Sequence, residues 1–237
     1  MVAMESIGTY WKPIFNLLEV EEIAAILVNA QHIKTVPGRK TDVKDSEWIA
    51  DLLRHGLLKA SFVPNREHRE LKELTRYRTS IVEERAREIN RMDKVLQGAN
   101  IKLSSVASSI DTKSAMDMCR AISEGVTDKT VLSSMARGSM KSKQGDLERS
   151  LKGLIQPHQK MILKSMLNHI ETLDAQLSTL DDEITKRLSD EEDIIEALDE
   201  ITGVGKRSAQ VIISEIGTDM SHFPTAENLA SWAGVCP

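Results

Sequence analysis

The sequence predicts a mostly helical chain with an α/β part, and three observations predict it. Aromatics are only 3% of the 237 residues, while Leu, Ile, Ala, Glu and Lys abound, a bias towards helix and away from sandwiches and barrels. Two long stretches repeat apolar residues three and four apart, the helical period. The first sixty residues instead alternate short apolar runs with turn signals, as a fragment of an α/β sheet does.

Each element follows in order. Val2-Ala3-Met4 and Ala25-Ile26-Leu27-Val28 read as strands, the second ending at Asn29. Between them, Trp11 to Leu18 reads as a helix with Pro13 in its first turn. Pro37-Gly38 marks a turn, and Thr41 is placed to cap a helix from Asp42 to about His55, stopped by Gly56. Pro64 breaks the chain before a long charged helix over 65–97, with Leu71, Leu74, Ile81, Val82, Ile89, Met92 and Leu96 at helical spacing. A Ser-, Met- and Gly-rich middle up to about Gln156 suits shorter helices. Over 158–188, Leu163, Met166, Ile170, Leu173, Leu177, Leu180, Ile184 and Leu188 form a heptad seam. Two long helices flanking a helical tip predict an antiparallel coiled-coil arm. The expected domains are 1–63, 64–190 and a small helical domain over 191–237.

Composition bounds the function. Apolar residues make up 41% and charged residues 28%, as in a soluble globular chain. No apolar run approaches the roughly 20 residues of a membrane helix, and no signal peptide opens the chain, so no membrane partner is expected. Cys119 and Cys236 are too few and too far apart for a disulfide scaffold or a zinc site, which points to a reducing cytoplasm. The net charge of −5 hides an asymmetry. Lys59–Lys102 holds eleven basic against seven acidic residues, whereas Glu171–Glu200 holds twelve acidic against two basic. Different segments therefore face different partners.

Three constellations could carry chemistry. On the helix from Asp42, residues Asp45, Ile49, Leu52 and Gly56 share one stripe, with Asp42 within about 60° of it. Carboxylates on a buried face need a cation between them, and a divalent metal would serve; first-turn acids that merely favour the helix N-terminus are the alternative. Glu5 stands at the carboxyl end of the first strand, where α/β sheets bind ligands, or is a solvated strand-end charge. In Ile201-Thr202-Gly203-Val204-Gly205-Lys206-Arg207, Gly203, Val204 and Gly205 would let backbone N–H groups approach a DNA phosphate, with Lys206 and Arg207 adding charge. This is a helix–hairpin–helix pattern; a plain tight turn between helices is the alternative. Finally, Arg76, Arg78 and Arg85 fall partly on the stripe that should be apolar, which suits phosphate recognition, or else a solvated helix laced with ion pairs.

These residues resemble a known family. Met4 to Trp11, Val28 to Lys34 and Pro37 to Asp45 are similar to the amino-terminal RuvC-like domain of bacterial insertion-sequence transposases of family 110. Leu74 to Arg91, beginning Leu74-Thr75-Arg76-Tyr77-Arg78, resembles that family's coiled-coil start, and Thr202 to Gly217 with Leu229 to Gly234 its carboxy-terminal transposase domain of the 116/110/902 type. The resemblance implies a truncated RuvC/RNase H-like domain over 1–63 and a DEDD-type recombinase guided to DNA by a bridge RNA. It also implies Mg²⁺ on four acids, of which Glu5, Asp42 and Asp45 match the second, third and fourth. Homo-oligomers through the coiled coil and a bacterial cytoplasmic setting are expected. The first acid is expected upstream of Met1 and a serine nucleophile beyond Pro237, so the chain is expected to be an incomplete piece, inactive alone. The competing readings are a non-enzymatic DNA-binding adaptor and a coiled-coil scaffold without nucleic acid. Target DNA, guide RNA and oligomeric state are not legible in these residues.

Overall fold

The computed structural model describes residues 1–29 and 42–235, with side chains in the helix at 42–54 described from Ser46 onward. The chain divides into two compact units, one of residues 1–66 with 216–237 and one of residues 67–215. Residues 192–215 pack with the long helices in the second unit.

The first unit begins with a strand–helix–strand. Strand β1 (Val2–Glu5) pairs in parallel with β2 (Ala25–Val28), Val2 opposite Ala25 and Glu5 opposite Val28. A parallel pair needs a crossover, and α1 (Trp11–Val20) supplies it, with Pro13 in its first turn where a missing N–H costs nothing. Helix α2 (Asp42–Arg54) lies against this sheet. Its Trp48, Ile49 and Leu52, spaced three and four apart, meet Ile26 and the fully buried Val28 in a small core completed by Leu58. Beyond α2 the chain returns beside β2: Ala60 bridges antiparallel to Val28, and Ser61 N–H donates to the Leu27 carbonyl at 2.7 Å. Phe62 then packs on His222 and Phe223, and Phe223 on Trp232, with ring centroids 4.3, 6.1 and 5.7 Å apart. In a chain this poor in aromatics, that cluster ties the carboxy-terminal segment to the sheet.

The second unit is built on two long helices, α3 (Arg66–Gly98) and α7 (Pro157–Arg187). Between them lie α4 (Lys113–Ser123), α5 (Lys129–Ser134) and α6 (Gln144–Ser150). Thr112 and Asp128 cap α4 and α5, and a Gln156–Gln159 capping box with Pro157 starts α7. The short helices close a core over the lower end of the pair: Met92 and Leu96 of α3 and Leu163, Leu167 and Ile170 of α7 enclose Met118, Ile122, Leu132 and Leu147. Cys119 is buried there, and burial pushes its thiol up to about 12, so it is protonated and inert at neutral pH. A second core forms at the other end. Leu71 and Leu74 of α3 and Ile184 and Leu188 of α7 meet α8 (Glu192–Asp199) and α9 (Lys206–Ile216) through Ile195, Leu198, Ala209 and Ile213. Helix α10 (Ala226–Ala233) belongs to the first unit. Among the described residues no helix is long and apolar enough to cross a membrane.

The seam of α3 departs from the expected one. Val82 is exposed, while Leu71, Thr75, Ile81, Glu88, Met92 and Leu96 are buried. Leu74 and Ile89 are half-buried and pack on the two cores, so Val82 alone of the expected positions faces out, and Thr75 and Glu88 join the buried stripe. On α7, Leu163, Ile170, Leu173 and Ile184 are buried as expected and Leu167 joins them. Of these, Leu163, Leu167, Ile170 and Ile184 pack on partners within the same chain.

Candidate functional site

Glu5 ends β1 at the carboxyl edge of the parallel pair, where Ser6 N–H donates to the Val28 carbonyl at 3.0 Å. The side chain is half-buried and has no counter-cation among the described residues. Asp42 and Asp45 are the first and fourth residues of α2; their side chains lie outside the described residues. Among the described residues no three His, Cys, Asp or Glu side chains are grouped so that they could hold a metal ion. The donor chemistry fits a hard divalent ion: carboxylate oxygens are what Mg²⁺ takes, and a half-buried carboxylate without a cation is left wanting one.

The predicted basic face is built differently. Arg78 Nε donates to Asp181 at 2.5 Å, and Arg85 Nε donates to Asp174 at 2.5 Å while its other nitrogens reach both oxygens of Asp111 at 2.6 and 2.8 Å. Glu70 pairs with Arg187 at 3.0 Å. Each partner climbs α3 as the other descends α7, so the ladder fixes the two helices as antiparallel. The Asp111 hydrogen bond, aided by Asp174, raises the Arg85 guanidinium further above its ordinary range despite burial. Arg76 is drawn to Glu215 of α9 at 2.8 Å, alongside Lys72 at 2.5 Å. Burial pushes the Glu215 carboxyl up, but Arg76 and Lys72 together outweigh it and hold it below the usual carboxylate range. All three predicted arginines are thus engaged within their own chain.

The turn between α8 and α9 is also charge-compensated. Gly203 holds φ +92°, a conformation that strains any residue with a Cβ, and Val204 N–H donates back to the Ile201 carbonyl at 2.9 Å. Lys206 pairs with Glu192 at 2.5 Å, and Arg207 pairs with Asp181 at 2.9 Å and donates to Gln210 Oε1. Beneath the turn, α9 is pinned to α3 where Thr75 Oγ1 meets Ser214 Oγ at 3.0 Å in a buried contact. Gly205 completes the turn with its backbone carbonyl accepting from Ala209.

Sequence reasoning missed the acidic half of this arrangement: Asp111, Asp174, Asp181 and Glu215. A signal was present. Arg78 and Arg85 are seven residues apart on α3, and Asp174 and Asp181 are seven apart on α7. Matching heptad offsets of opposite charge are what a paired seam requires.

Comparison with family models gives two matches. Residues 1–101 match a transposase model of the DEDD IS110 type, and residues 195–237 match one described as transposase, IS116/IS110/IS902 family. Together they span more than half of the chain. Comparison with curated proteins and with solved structures gives no match.

Proposed function

Because the chain belongs to the IS110 family of transposases, we propose that it acts in DNA transposition through Mg²⁺ held by Glu5, Asp42 and Asp45. The observation that carries this reading is the placement of Glu5 at the carboxyl edge of a parallel strand pair, with α2, which begins at Asp42, packed on the same sheet. Ligands of open α/β sheets bind at that edge. Bound there, Mg²⁺ supplies charge neutralisation at phosphate oxygens and lowers the pKa of a bound hydroxyl or water. The chain's own part is to present carboxylates from two elements held at a fixed separation by the Val28–Leu52 core.

The same reading extends to a serine nucleophile of the carboxy-terminal domain and to a bridge RNA that selects donor and target DNA. The family resemblance supports both. The helix–hairpin–helix reading of Gly203, Val204, Gly205, Lys206 and Arg207 rests on their sequence and on the left-handed Gly203; a phosphate at this turn would compete with Glu192 and Asp181 for the two cations. Contact of Arg76, Arg78 or Arg85 with nucleic acid would likewise require breaking an existing ion pair.

Divalent-ion uptake tests the reading directly. Calorimetric titration of the chain with MgCl₂ is expected to show binding that Glu5→Gln, Asp42→Asn and Asp45→Asn each abolish. Uptake unchanged by all three substitutions would exclude this set of acids.

A further inference from the structure

The cations that the sequence singled out in the second unit are already engaged. Arg76, Arg78, Arg85, Lys206 and Arg207 are each held by a carboxylate. Three other cations line one groove beside the short helices: Lys102, Lys143 and Arg149, with the hydroxyls of Ser105 and Ser150 between them. The groove's single carboxylate, Asp146, is tied to Arg149. Lys143 Nζ reaches only the Val106 carbonyl, at 3.4 Å, and Lys102 has no side-chain partner among the described residues.

Backbone contacts, rather than side-chain rotamers, bring these residues together from distant parts of the chain. Lys102 N–H donates to the Ser150 carbonyl at 2.9 Å, and Leu154 N–H donates to the Ala99 carbonyl at 3.0 Å. Gly153 passes so close to that second contact that a Cβ on it would stand 2.1 Å from the Ala99 oxygen. The segment 99–102 is therefore locked across 150–154, and Lys102 is set opposite Lys143 and Arg149. Val106 is the one apolar residue lining the groove, so nothing there would bury a base or an apolar side chain. Ammonium groups that meet no carboxylate, with hydroxyls beside them, suit a ligand that carries anionic oxygens.

We propose that this groove contacts the phosphodiester backbone of duplex DNA, seating the short-helix end of the second unit on the duplex without reading its sequence. The choice of DNA rests on the transposase reading above; the groove rests on its lining, in which two of three cations meet no carboxylate.

The test is a fluorescence-anisotropy titration of the full chain with labelled DNA and RNA duplexes over a range of KCl. Lys102→Ala/Lys143→Ala is expected to weaken DNA binding roughly ten-fold and to flatten the slope of log K against log salt by about 1.8, since each phosphate contact contributes about 0.9. Lys94→Ala/Lys164→Ala removes the same charge from exposed positions on α3 and α7 outside the groove, and is expected to leave the slope unchanged. Thermal unfolding of both double variants is expected to match wild type. Wild-type binding with the slope unchanged in the groove variant, or equally flattened in both variants, overturns the groove and leaves the transposase reading standing. A change confined to the RNA duplex overturns the choice of DNA. A wild-type chain that binds neither duplex overturns both.

Discussion

Arg85 and Asp174 face each other across the two long helices, with the guanidinium Nε 2.5 Å from the carboxylate, and one heptad further along each helix Arg78 and Asp181 repeat the contact. This repeat sets register. Sliding α7 by one heptad would keep one of the two pairs and strand the other arginine, only 22–23% exposed, against an apolar seam.

Replacing Arg85 by Ala is expected to cost about 1–3 kcal/mol, between exposed and buried ion pairs. Arg85→Lys is expected to recover less than half, because a point charge cannot bridge Asp111 and Asp174 as a planar fork does. Urea unfolding of the two variants against wild type measures both.

The Thr75–Ser214 contact makes a prediction about additivity. Thr75 also faces the Lys72 carbonyl at 3.1 Å and Ser214 the Val211 carbonyl at 2.8 Å, so two protons serve three contacts. Thr75→Val alone is expected to cost about 1 kcal/mol, and Thr75→Val with Ser214→Ala less than the sum of the singles, since removing both partners leaves no buried hydroxyl wanting. A double-mutant cycle reads the coupling.

Glu215 predicts a pH dependence. Its carboxyl is held below the ordinary range, so the folded state favours the ionised form. That contribution is fully present above the unfolded carboxyl's pKa and is lost as pH falls through the folded one. The stability gap between wild type and Glu215→Gln is expected to be constant above about pH 5 and to close below about pH 4. Unfolding titrations of the two proteins at each pH check this; a gap that widened in acid would reverse the sign.

Gly153→Ala is expected to be among the most damaging small substitutions in the chain. The added methyl meets the Ala99 carbonyl oxygen at 2.1 Å and Ile101 Cγ1 at 2.6 Å, and the first of these is backbone that can yield only by breaking the Leu154–Ala99 hydrogen bond. A loss of about 1–3 kcal/mol is expected, read as a lowered melting temperature.

How much of this could be seen in the sequence depends on the range of the interaction. The strands at Val2 and Ala25, the Trp11 helix, the two long helices and the glycine turn at 203 are written in local pattern, because period, caps and breakers act within a few residues. Glu5 was legible for the same reason, as a strand end. The fates of Arg76, Arg78 and Arg85 were not: each depends on a carboxylate between 26 and 139 residues away.

By itself, then, the sequence determined the kinds of element, their order and the family to which they belong. Tertiary structure alone decided which charges are spent and which are left. The arginines of α3 lie on a seam, where desolvation makes an unpaired guanidinium costly, so folding draws acids from α7, α9 and the tip to meet them. Lys102 and Lys143 carry ordinary charges in an unremarkable stretch, and only the crossing of 99–102 over 150–154 places them in one groove with so little to neutralise them. Charge in a sequence is a property of each residue, but free charge on a folded surface is a property of pairs.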